Sequence, residues 1–150
     1  MAHISFFALI SLLLTISQVS DAWSLPPCDS GRENAWHNCQ GTWTWTDGQK
    51  YVGEFKHGKP EGYGTHVWPD GHQYVGEFLA GLSHGRGTYT WSNGRKYVGQ
   101  WKYDKMDGQG VVTFVDGRVW SGAFKQGKWV DGQQYAPGEA PPEVVAPTKQ

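Results

Sequence analysis

Residues 51–55 alternate between two kinds of side chain, in the order Tyr-Val-Gly-Glu-Phe. A period of two is typical of a β-strand, because successive side chains point to opposite faces. A turn-like stretch at 56–61 follows, then a second strand from Gly62 to Trp68. The next residues, Pro69-Asp70-Gly71, form a turn with glycine available for positive φ. The pattern therefore predicts one β-hairpin per unit.

This unit recurs every 23 residues, with starts at 51, 74, 97 and, less regularly, 120. A fixed period of this length indicates a repeat protein. An upstream half unit that begins at Gly41 keeps the same 23-residue spacing. The repeat becomes less regular after about Gln126; for example, Asp131 stands where a glycine is expected. The positions that we assign to the structure of the repeat are Tyr51, Gly53, Phe55, Gly62, Gly64, Trp68, Gly71, Tyr74, Gly76, Phe78, Gly85, Gly87, Trp91, Gly94, Tyr97, Gly99, Trp101, Gly108, Gly110, Phe114, Gly117, Trp120, Gly122 and Phe124.

The recurring Tyr-x-Gly-Glu-Phe/Trp, Gly-x-Gly and Asp-Gly segments resemble the MORN repeat family. The resemblance covers Gly41 to about Gly127, and it departs from the family pattern at Asp104, where a turn glycine is expected, and at Ala123, where an acidic residue is expected. It implies a non-catalytic module that associates with proteins, often with itself, and a contested affinity for phospholipid headgroups. Where family members are enzymes, the chemistry lies in an attached domain.

The alternation assigns the repeat positions to two faces of a sheet. Glycines and aromatic residues share one face, so we expect rings to lie flat over bare backbone, which explains glycine inside strands where it normally weakens them. The other face carries Val52, Glu54, Thr65 and Val67 and is more mixed. No helical pattern covers the sheet. The predicted fold class is all-β, a single-layer antiparallel meander of β-hairpin repeats over residues 41–135, in which each unit contacts only its neighbours.

The two ends of the chain differ from the repeats. The apolar run Ile4–Ile16 is 13 residues long, too short for a bilayer-spanning helix of about 20 residues. With the small residues around Ala22 it predicts a signal peptide over residues 1–22 and export, either secreted or periplasmic; an uncleaved anchor or a buried strand is the alternative. Residues 136–150 contain four prolines and no aromatic residue, so we expect a flexible tail.

Cys28 and Cys39 are the only cysteines. In an exported protein an even count favours a disulfide over two free thiols or half of a metal site. Cys39 stands where Gly62 and Gly85 stand in later units, so residues 23–40 are predicted to be a disulfide-stapled N-terminal cap. The weak last unit with Trp129 and Tyr135 is the predicted C-terminal cap.

Composition narrows the function classes. The chain has 21 Gly, 9 Trp, 7 Tyr and 6 Phe in 150 residues, and its 13 Lys and Arg balance 14 Asp and Glu. Disordered chains lack aromatic residues, and glycine disfavours helices, so the composition disfavours both a disordered chain and a helical bundle. Binding to nucleic acid needs an excess of Lys and Arg that is absent here. We expect no nucleic-acid partner and no membrane-spanning mature protein.

The residues that could carry chemistry form no recognisable active site. Glu54 and Glu77 repeat two strands apart, about 10 Å, but the sequence implies no pocket to raise the pKa of one of them, as general acid catalysis requires. The histidines after the leader, at positions 37, 57, 66, 72 and 84, show no metal-binding spacing. No phosphate-loop motif occurs in the sequence. Gly81-Leu82-Ser83-His84-Gly85 has the Gly-x-Ser-x-Gly spacing of a serine elbow, but it stands at the hairpin-turn positions of the repeat and no helical pattern follows it. We therefore expect no enzyme activity, no cofactor and no metal.

A binding or scaffold protein remains. The leading expectation is a protein partner or self-association through the sheet face. The alternative is a glycan, or a phospholipid headgroup, on exposed aromatic residues. For an anionic lipid the candidate basic patch is formed by Lys56, Lys59, Arg95, Lys96, Lys102 and Lys105; solvated turn charges are the other interpretation.

Overall fold

The computed structural model describes residues 25–139. The predicted signal peptide and residues 140–150 of the predicted tail lie outside the described residues. A short 3₁₀ helix, Glu33–Ala35, precedes nine strands. These are β1 (Cys39–Thr44), β2 (Lys50–Lys56), β3 (Lys59–Val67), β4 (Gln73–Leu79), β5 (Leu82–Thr90), β6 (Lys96–Lys102), β7 (Lys105–Thr113), β8 (Val119–Lys125) and β9 (Lys128–Tyr135).

The nine strands form one open antiparallel sheet in chain order, so the predicted all-β meander is confirmed. Each inner strand pairs with the strands before and after it in sequence, so β1 and β9 are the outermost strands within residues 25–139. The segment at Pro26–Cys28 hydrogen-bonds to Gln40 along the outer side of β1. Over residues 25–139 the structure contains no helix long and apolar enough to cross a membrane.

The hairpin turns are tighter than the sequence predicts. The stretch predicted as a turn, 56–61, contains only a two-residue turn at His57 and Gly58, both with positive φ, and β3 begins at Lys59. The remaining three hairpins have the same turn. Asp104 occupies the second turn position at φ 63°, a left-handed conformation that Asp tolerates better than most residues. The turn amides at 58, 81, 104 and 127 each donate a hydrogen bond to the preceding unit, to the carbonyl oxygens of Trp36, Pro60, Ser83 and Met106.

The other half of the predicted turn is a bulge within the strand pair. Gly53 pairs with Gly64 and Phe55 with Pro60, so Glu54 lies opposite three residues, 61–63. Gly62 at the centre of the bulge has φ 68°, a conformation that glycine adopts at no steric cost. The pattern recurs at Gly85 and Gly108, with φ 59° and 113°. The first glycine of Gly-x-Gly is therefore required by backbone conformation.

The core is a row of aromatic rings on one face of the sheet. Tyr51, Tyr74 and Tyr97 are fully buried, and each ring lies over two glycines of paired strands. A Cβ built on Gly53 would meet the Tyr51 hydroxyl at 2.5 Å, and one on Gly64 would meet the same ring. The predicted ring-over-glycine packing is therefore confirmed. The second glycine of Gly-x-Gly is required by space.

Edge-to-face contacts join these tyrosines to their neighbours. Tyr51 contacts Phe55 at 5.1 Å between ring centroids and Phe78 of the next unit at 4.9 Å. Tyr74 and Tyr97 repeat the arrangement. Such pairs contribute about 0.5–1.5 kcal/mol each beyond area burial. The units are therefore coupled to their neighbours by aromatic contacts as well as by strand pairing.

The buried tyrosine hydroxyls bond locally. The Tyr51, Tyr74 and Tyr97 hydroxyls donate to the carbonyl oxygens of Glu54, Glu77 and Gln100, at 2.9 Å in each case. Burial raises the pKa of all three tyrosines, so the hydroxyls stay protonated and remain donors.

The C-terminal unit is more regular than the sequence predicts. Regularity was expected to fade after Gln126, yet β9 pairs with β8 from Lys125 opposite Lys128 to Val119 opposite Tyr135. Asp131 pairs with Ala123, and Gly132 lies opposite Gly122 as Gly64 lies opposite Gly53. The one-residue displacement conceals the repeat in the sequence.

At the N-terminal end of the sheet, Trp36 occupies the place that a buried tyrosine has in the later units. Cys28 and Cys39 form a disulfide with an S–S length of 2.02 Å. The Trp36 ring and the Cys28 sulfur lie over Gly41, where a Cβ would meet them at 3.0 and 3.1 Å. Trp36 also contacts Phe55 at 4.7 Å, as Tyr51 contacts Phe78. The segment thus supplies the cover that a preceding unit would give.

Replacing both Cys28 and Cys39 with Ser is expected to lower the free energy of unfolding by about 2–3 kcal/mol, the loop-closure contribution of a short disulfide loop. The measurement is a pair of urea melts under non-reducing conditions. Circular dichroism should show the same sheet content in both proteins. Equal midpoints in wild type and variant would contradict the stapling role of the disulfide.

Candidate functional site

A second row of aromatic side chains runs beside the buried tyrosines on the same face. These side chains are partly buried and pack against the core. We call them the aromatic row: Trp43, Trp45, Trp68, Tyr89, Trp91, Phe114, Trp120 and Trp129. Four members begin the turns that connect successive hairpins: Trp45, Trp68, Trp91 and Phe114. The 23-residue repeat therefore places them along the same side of the sheet, where the strands end. We call this side the turn edge.

Most contacts between rings of the row are edge-to-face, as between Trp43 and Trp45, and stacking occurs through His66. His66 lies between Trp45 and Trp68, at 5.1 and 4.1 Å between centroids, with the planes within 29° and 25° of parallel. The guanidinium of Arg95 lies 3.7 Å above the Trp91 ring, and Arg118 lies 5.1 Å above Phe114. Much of the area of the ring faces is therefore covered by other side chains of the protein. Stacking on a sugar needs an open ring face, so this geometry disfavours the predicted glycan alternative.

Buried polar atoms without a hydrogen-bond partner occur both in the row and outside it. Within residues 25–139 they include Nε1 of Trp129 in the row, and Nε2 of His66, Nε of Arg95 and Nδ1 of His84 outside it. Burial lowers the pKa of His66, which favours the neutral ring between the two indoles.

A cleft of about 230 Å³ opens at the N-terminal end of the row, lined by Asn34, Trp43, Trp45, Phe55, Gly58 and Pro60. Small-molecule sites usually measure about 300–1,000 Å³. The cleft is smaller than that, and its apolar walls suit a side chain presented by another macromolecule. In the third unit the bulkier Trp101 stands at the position of Phe55 and contacts Tyr89 at 5.8 Å.

The two glutamates considered as a carboxylate pair have a structural role in the bulges. Oε1 of Glu77 accepts a hydrogen bond from the Arg86 amide at 2.9 Å, beside Gly85. Gln100 does the same for the Gln109 amide at 2.6 Å. The Glu54 carboxylate lies against Gly62 in the first bulge. The fourth residue of Tyr-x-Gly-Glu-Phe thus braces the bulge backbone.

Glu77→Ala is expected to lower the free energy of unfolding by about 1 kcal/mol, because one backbone amide loses its partner. Glu77→Gln should retain most of that stability, since Gln100 makes the same bond one unit later. Thermal unfolding of the three proteins checks the ranking. A Gln variant as unstable as the Ala variant would contradict the bracing role.

The six candidate basic residues do not form one patch, which corrects the sequence expectation. Strand pairing places Lys56 beside Lys59 and Lys102 beside Lys105 at the tips of two hairpins. Arg95 and Lys96 lie at the turn edge, about 20 Å away along a strand of seven residues. Sequence analysis missed a third pair, Lys125 and Lys128, at the tip of the last hairpin. The repeat spacing in the sequence could have identified this pair, because the three lysine pairs stand at matching positions of their hairpins.

The histidines have several environments. Nδ1 of His72 bonds the Tyr89 hydroxyl at 2.6 Å, and burial raises the pKa of Tyr89. His84 contacts Tyr103 at 5.0 Å. His37 and His57 bring their rings to 4.3 Å between centroids. Among the described residues no group of three or more His, Cys, Asp or Glu could hold a metal ion. Sequence spacing missed the His37–His57 pair because the cap and the first hairpin tip meet only in the folded chain.

Comparison with known proteins supports the repeat assignment. The MORN repeat family model matches three consecutive segments, residues 51–73, 74–94 and 97–117. A search of curated proteins found no match. The three matched segments are the hairpins that contain the fully buried tyrosines.

Proposed function

This chain is a MORN-repeat protein, and on that premise we propose that it is a non-catalytic scaffold that binds a protein partner in an exported compartment. MORN repeats are generally protein- or membrane-binding modules. The proposed contact surface is the aromatic row with the adjoining cleft.

The observation that carries the proposal is the aromatic row on a sheet face that no second layer covers within residues 25–139. Trp, Tyr and Arg are the residues enriched at the energetic centres of protein interfaces. The row combines indole edges with two arginines, Arg95 and Arg118, held above rings. The cleft between Trp43 and Trp45 supplies a pocket for one anchoring side chain.

Export is supported by two independent features. The sequence of residues 1–22 has the short apolar run of a signal peptide, and the Cys28–Cys39 disulfide suits an oxidising compartment. The expected mature protein begins at Trp23. The intact mass of the protein recovered from the exporting cell should be lower than the full-chain mass by the first 22 residues. Recovery of the full-length mass would contradict cleavage.

The binding proposal is tested with variants on opposite faces of the sheet. Trp45→Ser removes one wall of the cleft, while Val52→Ser changes a side chain that is 46 % exposed on the other face. Cross-linking in the native exported compartment identifies the partner, and titration of the purified partner measures the affinity. Trp45→Ser should weaken binding by about 30-fold, as expected for an interface hot spot. Val52→Ser should leave binding unchanged.

Sedimentation over a range of concentrations separates self-association from binding to another protein. Both variants are compared below their unfolding midpoints, so that loss of fold is not mistaken for loss of contact. A protein partner bound equally well by wild type and Trp45→Ser would refute the assignment of the aromatic row. Greater loss in Val52→Ser would place the contact on the other face.

An anionic lipid surface is the second candidate, favoured by the hairpin tips. The four hairpin tips lie along the side of the sheet opposite the turn edge. Three of them carry a Lys pair, and the fourth carries the exposed pair Leu79 and Leu82. A lysine near an anionic surface contributes about 1 kcal/mol. Asp107 offsets part of this charge by pairing with Lys125 at 3.5 Å. Co-sedimentation with phosphatidylserine vesicles should decrease in Lys102→Glu relative to the wild type. Equal co-sedimentation of the two proteins would exclude the hairpin tips as the lipid-binding surface.

A further inference from the structure

His37 and His57 come from different parts of the fold, and their rings meet at its surface. His37 follows Trp36 in the N-terminal segment, and His57 occupies the first turn position of the β2–β3 hairpin, with φ 52°. The ring centroids are 4.3 Å apart and the ring planes are inclined by 50°. Both side chains are exposed, and among the described residues neither ring makes a hydrogen bond.

The backbone holds both residues in place. The Gly58 amide donates to the Trp36 carbonyl oxygen at 2.7 Å, which joins the residue after His57 to the residue before His37. The Trp36 ring is buried, and the disulfide at Cys39 lies two residues after His37. The two imidazoles therefore project from a fixed junction between the cap and the first hairpin. Only side-chain rotation is needed to direct a nitrogen of each ring to one point.

We propose that His37 and His57 form a two-imidazole site for a divalent copper ion. Neutral imidazole is the commonest protein ligand for transition metals and is well suited to copper. With metal–nitrogen bonds of about 2.0–2.1 Å, two imidazoles at right angles on one ion hold their ring centres about 4.5 Å apart. The two rings, 4.3 Å apart between centroids, are therefore near enough to share one ion once rotation aims a nitrogen of each ring at it.

The choice of copper rests on the ligand type and number. Square-planar coordination, which Cu²⁺ prefers, offers two adjacent positions for the two imidazoles. Cu²⁺ also binds nitrogen ligands more tightly than the other divalent first-row ions. Water completes the two remaining positions.

Copper at this site links the cap to the first repeat. Neither imidazole position is fixed in the unfolded chain, so the ion binds the folded state preferentially and shifts the unfolding equilibrium by the factor 1 + [Cu²⁺]/Kd. The midpoint of thermal unfolding should therefore rise with copper concentration. The rise should be absent when either histidine is replaced.

The experiment uses the full chain with His3→Ala in every protein, because an N-terminal amine and a histidine at the third position chelate copper by themselves. Copper chloride is titrated calorimetrically, and electron paramagnetic resonance reports the nitrogen ligands. His37→Asn and His57→Asn remove one imidazole each; asparagine tolerates the positive φ of position 57. His84→Gln is the matched control, since its ring contacts Tyr103 and no other histidine.

The expected result is one copper ion per chain, two nitrogen ligands in the spectrum and affinity at least 10-fold weaker in each Asn variant. His84→Gln should bind like the parent protein. Unaltered affinity in either Asn variant would overturn the proposal, and so would the absence of saturable binding in the parent. Tighter binding of zinc than of copper would overturn the assignment to copper.

Discussion

Gly76→Val is expected to destabilise the whole sheet by about 3 kcal/mol or more, although valine is the better strand former by propensity. A Cβ on Gly76 would stand 2.5 Å from the Gly87 Cα and from the Arg86 carbonyl oxygen, and 2.8 Å from the Tyr74 hydroxyl. Overpacking typically costs about 1–3 kcal/mol, and more when the obstructing atoms are unable to move. Here two of the three are backbone atoms of a paired strand. The Tyr74 ring, wholly buried, has no free space to enter.

Urea melts of Gly76→Val and Val75→Thr measure this effect. Val75 is the matched control, because it adjoins Gly76 in β4 but points to the opposite, partly exposed face. Its replacement by Thr should cost much less than the valine at position 76. Equal or higher stability of Gly76→Val would refute ring-over-glycine packing and the assignment of the two faces.

The sequence predicts the fold well because its repeat reports two strong physical constraints. Alternation identifies the strands, and a glycine at every position beneath a ring identifies the packed face. The role of each glycine in Gly-x-Gly was not predictable. Gly62 is needed for its positive φ in a bulge, and Gly64 for the space beneath Tyr51. The sequence shows glycine in both cases, and only the strand register shows which glycine is needed for its backbone conformation and which for space.

The candidate sites were less predictable because they depend on contacts between distant residues. The lysine pairs arise where strand pairing brings the two sides of a hairpin tip together. His37 and His57 meet through the Gly58–Trp36 hydrogen bond, for which no local pattern exists. The aromatic row could be predicted as periodic, but not the stacking that covers its ring faces.

Trp36→Ala should cost about 3–5 kcal/mol, the usual range for removing a large buried aromatic side chain. Trp36 is 8 % exposed, packs edge-to-face on Phe55, and donates from Nε1 to the Asp29 carbonyl oxygen at 2.7 Å. Alanine there would uncover Gly41 and leave Phe55 without the ring that every other unit supplies. The loss should act first on β1 and β2, because each unit of a repeat array is stabilised by its neighbours.

Urea melts give the total effect, and native-state hydrogen exchange locates it. In Trp36→Ala the β2 amides, such as that of Val52, should exchange much faster, while the β6 amides, such as that of Val98, should change less. Trp36→Phe is the matched control: it keeps a ring on Phe55 but loses the indole donor, so its cost should be clearly smaller. The Asp29 carbonyl lies near the surface and water replaces its donor, whereas nothing replaces the ring. If Phe is as damaging as Ala, the Trp36 hydrogen bond, rather than its ring, closes this end of the sheet. If exchange accelerates equally in β2 and β6, the array unfolds as one unit and the nearest-neighbour account of its stability is wrong.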